Sequence, residues 1–67
     1  MAINVSELPI GRQLKVQRVV AGISSTDMAE AIGISISHLS HIEAGRRTAS
    51  PSLIAAMRST IEGRAAA

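Results

Sequence analysis

The sequence predicts an all-α domain, and three observations carry that expectation. Apolar residues recur at helical spacing, as in Met28, Ala29 and Ile32 or in Leu39 and Ile42. Glycines at 22, 33 and 45 punctuate these runs, and serines at 24, 35 and 50 stand where new helices would begin. The chain has no Cys, Phe, Tyr or Trp, so its core must be assembled from Ile, Leu, Val, Met and Ala, with no disulfide to staple it.

Residues 1–5 hold Ile3 and Val5 in alternation, too short a pattern for anything but an arm or an edge strand. A first helix is expected over 6–22, with Ser6 as cap, Glu7 near the positive helix end and Pro9 tolerated in the first turn. At about 100° per residue, Ile10, Leu14, Gln17, Arg18 and Ala21 share one face, while Val16, Val19 and Val20 fall on the opposite one. One of these faces is core and the other needs a partner. The second helix opens at Ser24, whose hydroxyl can accept the Asp27 amide while the Asp27 carboxylate reaches back to complete a capping box.

Gly33 can take a left-handed backbone and stop that helix, and Ser35 caps a third helix over 36–44. There Leu39 and Ile42 point one way and Ser37, Ser40, His41 and Ala44 the other, with Ile36, His38 and Glu43 on the borders. Two short helices joined by Gly33-Ile34-Ser35 make a helix-turn-helix pattern. A turn with Arg46, Arg47 and Thr48 follows. Ser50-Pro51 then opens a last helix over 51–61, expected to bury Leu53, Ile54, Met57 and Ile61 and to end at Gly63, with 64–67 as a tail.

A chain of 67 residues holds one domain, 1–67, with a small core and modest stability. Its formal charge of +2 is concentrated by the Arg46-Arg47 doublet. No run of about eighteen apolar residues and no basic-then-apolar leader is present, so neither a membrane partner nor secretion is expected, and a cytoplasmic location fits. Lack of aromatics disfavours binding of single strands by stacking. His38 and His41 have a spacing that can hold a metal, but two ligands without a third make a weak site, and no metal or other cofactor is expected. Neither a strand-to-helix nucleophile elbow nor a Gly-rich phosphate loop occurs, so no enzyme and no small-molecule substrate is expected.

Ala29 to Gly33 (AEAIG), Ile34-Ser35, His38 to Arg47 (HLSHIEAGRR) and Ser50-Pro51, taken in order, resemble the phage repressor and Cro type of helix-turn-helix protein, a lambda-repressor-like group. The likeness covers about residues 9–60. It implies a compact bundle of four or five helices, with the third lying in the major groove of double-stranded DNA. It also implies that Arg18 and Glu43 pair across the fold as a structural ion pair, and that phosphate contacts cluster at the start of the first motif helix, here Ser24, Ser25 and Thr26.

The residues agree with that docking. A major groove admits one helix, and close approach needs short side chains, which Ser37, Ser40 and Ala44 provide. Base readout is expected from Ile36, Ser37, Ser40, His41 and Ala44, with His41 the longest reader and Ile36 or Ala44 able to touch a thymine methyl. Alternatively these serines merely keep an exposed helix solvated. Phosphate contacts are expected from Ser24, Ser25, Thr26, Ser35, His38, Arg46 and Arg47. The face lacks the Arg, Lys, Gln or Asn that would form bidentate base pairs, so direct readout is thin and DNA shape should contribute.

Relatives of this type usually bind palindromic operators as dimers, with half-sites about 34–36 Å apart. The surfaces available for a homodimer are Val16, Val19 and Val20, the Ile3 and Val5 arm, and Ile61. The leading expectation is thus a Cro-like transcription regulator. The alternative is an antitoxin or protein-interaction adaptor that uses the valine face, with DNA binding secondary. The alanine ending resembles a bacterial degradation tag and equally reads as a frayed tail.

Overall fold

Among the described residues, three of the four helices stop on the same device, and this sets the architecture. The computed structural model describes residues 8–65, which form α1 (Ile10–Val20), α2 (Ser25–Ile32), α3 (Ile36–Glu43) and α4 (Pro51–Ala65). After α1, α2 and α3 the chain turns at Gly22, Gly33 and Gly45, with φ of 74°, 74° and 78°. Paired amide bonds close each turn, such as Gly33 N–H to Glu30 O at 3.3 Å and Ile34 N–H to Ala29 O at 3.0 Å. These are Schellman turns, in which the left-handed residue satisfies the last helical carbonyls and redirects the chain. The redirection at Gly33 lets α3 restart after only Ile34 and Ser35.

Serines open the following helices as expected. Ser24 Oγ accepts the Asp27 amide at 3.0 Å, Ser35 Oγ the His38 amide at 3.0 Å, and Ser50 Oγ the Leu53 amide at 3.2 Å. The reciprocal half of the capping box is not formed. The Asp27 side chain is one methylene shorter than the Glu such a box favours, and its carboxylate instead lies 3.9 Å from Arg64 on α4.

The first helix begins later than its pattern implies. It starts at Ile10 with Pro9 as N-cap, and the Pro9 carbonyl receives the amides of Arg12 and Gln13 at 3.0 Å each. Proline disfavours helical backbone in the residue before it, so Leu8 stays outside. The expected cap Ser6, Glu7, and the Ile3 and Val5 arm lie outside the described residues.

The last helix departs the other way, running through Gly63 to Ala65 and taking in part of the expected tail. Gly63 has no positive φ. A glycine there lowers helix propensity by about 1 kcal/mol without forcing a stop, and Arg64 beside Asp27 favours the final turn. Ala66 and Ala67 lie outside the described residues.

The core is aliphatic and lies where the four helices meet. Leu14, Met28, Leu39, Ile42 and Met57 are sealed from solvent, with Ile23, Ala29, Ala49 and Ile61 nearly so. Leu53 and Ile54 are half-buried. The Leu14 face of α1 is thus the core face, although Gln17 at its edge is exposed. Gly11 is buried on that face, and a Cβ there would collide with the Ile42 carbonyl oxygen and lie 2.9 Å from its carbon. The absent side chain lets α1 press on the backbone of α3.

Candidate DNA interface

Burial of one side of α3 decides what its other side can offer. Leu39, Ile42 and Glu43 are buried, and Ser37, Ser40, His41 and Ala44 are exposed. Ile36 stands 51% exposed beside them, a large apolar side chain at the start of an otherwise polar face. The helix ends at Glu43, with Ala44 as its C-cap. His38, expected on a border, is half-buried.

The helix is oriented by an ion pair. Arg18 Nε donates to Glu43 Oε2 at 2.8 Å and Arg18 NH2 to Glu43 Oε1 at 3.1 Å, while NH1 donates to the Ile23 carbonyl at 2.7 Å. A planar guanidinium matches a carboxylate in this two-point fashion. Both side chains are nearly sealed from solvent, at 8% and 6% exposure. The contact ties α3 to α1 and to the loop before α2 at once.

The basic turn is folded back onto α3. Beyond Gly45, the amides of Arg46 and Arg47 both donate to the His41 carbonyl, at 2.9 and 3.2 Å. His41, Arg46 and Arg47 therefore line one shallow depression. An adjoining cleft joins Ser25, Ile36, Ser40 and Ala44 to Lys15 on α1. Of the expected base-reading and phosphate groups, Ser25, Ile36, Ser40, His41, Ala44, Arg46 and Arg47 line these two concavities, whereas Ser24, Thr26, Ser35, Ser37 and His38 line neither.

At the capped ends the hydroxyls divide their work. Ser24 and Ser35 spend an acceptor lone pair on the helix amide behind them, and each O–H stays free to donate outward. Thr26 is exposed on the first turn of α2 and Ser25 half-buried.

Two residues near this face escaped the sequence reading. Arg12 NH2 donates to the Ala44 carbonyl at 3.4 Å, placing a cation at the negative end of α3. Lys15 lies one turn further along α1. Helical spacing on α1 alone could not reveal them, because their proximity to α3 follows from the α1–α3 packing at Gly11.

A scan of known protein families matches the chain over residues 9–60 to a helix-turn-helix domain. The chain belongs to the helix-turn-helix domain family. No curated protein and no solved structure matches it. As a helix-turn-helix DNA-binding protein, it carries α2 and α3 as the paired motif helices and α1 and α4 as their support.

The other expected surface divides in this helix-turn-helix domain. Val16, Val19 and Val20 are 37%, 59% and 82% exposed. Ile61 is not a free interface residue: it is 9% exposed and packs in the core cluster. Its edge still helps Val16, Val20, Ala21 and Ala65 line a groove of about 530 Å³. Among the described residues no helix is long and apolar enough to cross a membrane. Nor do three or more His, Cys, Asp or Glu gather into a metal-binding group there.

Proposed function

We propose that this protein is a sequence-specific double-stranded DNA-binding regulator of the phage repressor and Cro type, acting in the bacterial cytoplasm as a single domain without cofactor or catalytic step. The observation that carries the reading is the exposed side of α3. It is short and free of acidic residues at its centre, and it shares one concavity with Ser25 at the α2 N-terminus and another with the folded-back Arg46-Arg47 turn. A helix with that profile fits a major groove about 12 Å wide, where longer side chains would hold it away from the base edges.

In this reading Ser37 and His41 do most of the choosing, Ser40 assists, and Ile36 and Ala44 touch thymine methyls. Arg46, Arg47, Ser24, Ser25, Thr26, Ser35 and His38 hold the phosphates. With no bidentate reader on α3, the operator is read partly through shape, and base pairs that no side chain touches still matter. Two copies bind a palindromic site, since one such helix spans only a few base pairs.

Selection from randomised duplexes at ~0.1 M salt tests the reading, because non-specific binding weakens steeply as salt rises. A shared, two-fold symmetric motif is the expected result; no enrichment of any sequence would sink it.

The exposed groove at Val16 and Val20 favours one second reading, a protein-interaction adaptor or antitoxin in which DNA binding is secondary. Sedimentation of the protein alone and with the selected duplex separates the two. Pairing of two copies on DNA supports the regulator.

A further inference from the structure

Helix α1 brings cations to the exposed side of α3 from outside the helix-turn-helix itself. Arg12 is engaged at the Ala44 carbonyl. Lys15 is exposed and makes no ion pair or hydrogen bond among the described residues. It lines a cleft of about 360 Å³ whose other walls are Ser25 on α2, Ile36, Ser40 and Ala44 along α3, and the Arg18–Glu43 pair. Arg18 and Glu43 neutralise each other there through their two bonds. Lys15 therefore supplies the net positive charge of the cleft.

We infer that Lys15 is a DNA-phosphate anchor, holding from α1 the backbone strand that runs past Ser25 while α3 occupies the groove. The inference rests on the DNA-binding reading, because the cleft opens on the same face. Its location decides between phosphate and base. In the proposed docking the bases lie opposite the short side chains of α3, whereas Lys15 stands on α1, outside the entering helix, and shares its cleft with Ser25 at the start of α2. The chemistry agrees: lysine is a hydrated point charge on a flexible stem, suited to a phosphate oxygen and poor at the two-point recognition that distinguishes bases. Lys15 breaks no intramolecular hydrogen bond or ion pair among the described residues on binding, so its cost is the ordering of its own side chain.

The test is the salt dependence of affinity for a selected duplex, measured for the wild type, K15A, K15Q, K15R and R58A. Arg58 lines the separate groove between α1 and α4, so R58A removes the same formal charge away from the cleft. K15A and K15Q should weaken binding alike on all duplexes and flatten the slope of log affinity against log salt by about one ion. K15R and R58A should keep the wild-type slope. A wild-type slope in K15A, an equal flattening in R58A, or a changed base preference in K15Q each overturns the assignment. Failure of the wild type to select any sequence overturns the DNA reading and this inference with it. Normal wild-type selection with an unaffected K15A overturns the inference alone.

Discussion

Arg18 grips Glu43 through both guanidinium-to-carboxylate bonds, at 2.8 and 3.1 Å, with a third donor fixed on the Ile23 carbonyl at 2.7 Å. Because each charge is almost fully removed from water, its desolvation is offset only while the other is present. Replacing Glu43 with Gln or Arg18 with Met should each cost about 3–5 kcal/mol in urea unfolding. The double variant R18M/E43L should regain part of that loss, since an apolar pair leaves no orphaned charge, while the Ile23 carbonyl still loses its Arg18 donor. Additive losses in the double variant would show that the pair is not the unit that matters.

Gly11 sets how near α1 comes to α3. A Cβ at this site meets backbone, the Ile42 carbonyl, which cannot swing aside as a side-chain tip would. Gly11→Ala should therefore destabilise the fold by about 3 kcal/mol or more, at the upper end of overpacking effects, although alanine is the better helix former. Thermal unfolding checks this; a stabilised G11A would mean that the two helices separate at little cost.

The N-cap at Ser35 joins stability to the reading surface, because it fixes the first turn of α3 through the His38 amide. Ser35→Ala should lower stability by about 1 kcal/mol and Ser35→Gly by only a few tenths. Binding should fall further than stability alone explains if the Ser35 hydroxyl, absent from both variants, also donates to phosphate. Chemical denaturation and gel shift on the same variants separate the two contributions.

The parts of the fold legible in the sequence are those fixed by local chemistry. Ser24, Gly33, Ser35 and Ser50 each act within about one turn of themselves, through a cap or a left-handed residue, and their positions give α2, α3 and the start of α4 directly. Local signals misled where they were permissive. Pro9 allows a helix to begin but does not say on which side, and Gly63 weakens α4 without breaking it. Other features depend on which helices touch. The Gly11 contact, the Asp27–Arg64 approach and the presence of Arg12 and Lys15 beside α3 have no signature in the periodicity of any one segment. Ile61 shows the same limit from the other side, since one residue both fills the core and edges a groove.

His41 and Arg47 share a surface depression, and the Arg47 amide donates to the His41 carbonyl at 3.2 Å, yet their proposed tasks leave different marks. Arg47→Ala should weaken binding evenly across duplexes and flatten the salt slope by about one ion, the mark of a lost phosphate contact. His41→Ala should instead relax the preference at one position in each half-site, by about 1–3 kcal/mol, and leave the slope nearly unchanged. Site selection and salt titration on both variants check the division. The outcome that defeats it is a His41→Ala protein with intact preference and a flattened slope, which would make His41 a second phosphate holder and leave Ser37, Ser40 and DNA shape to carry specificity.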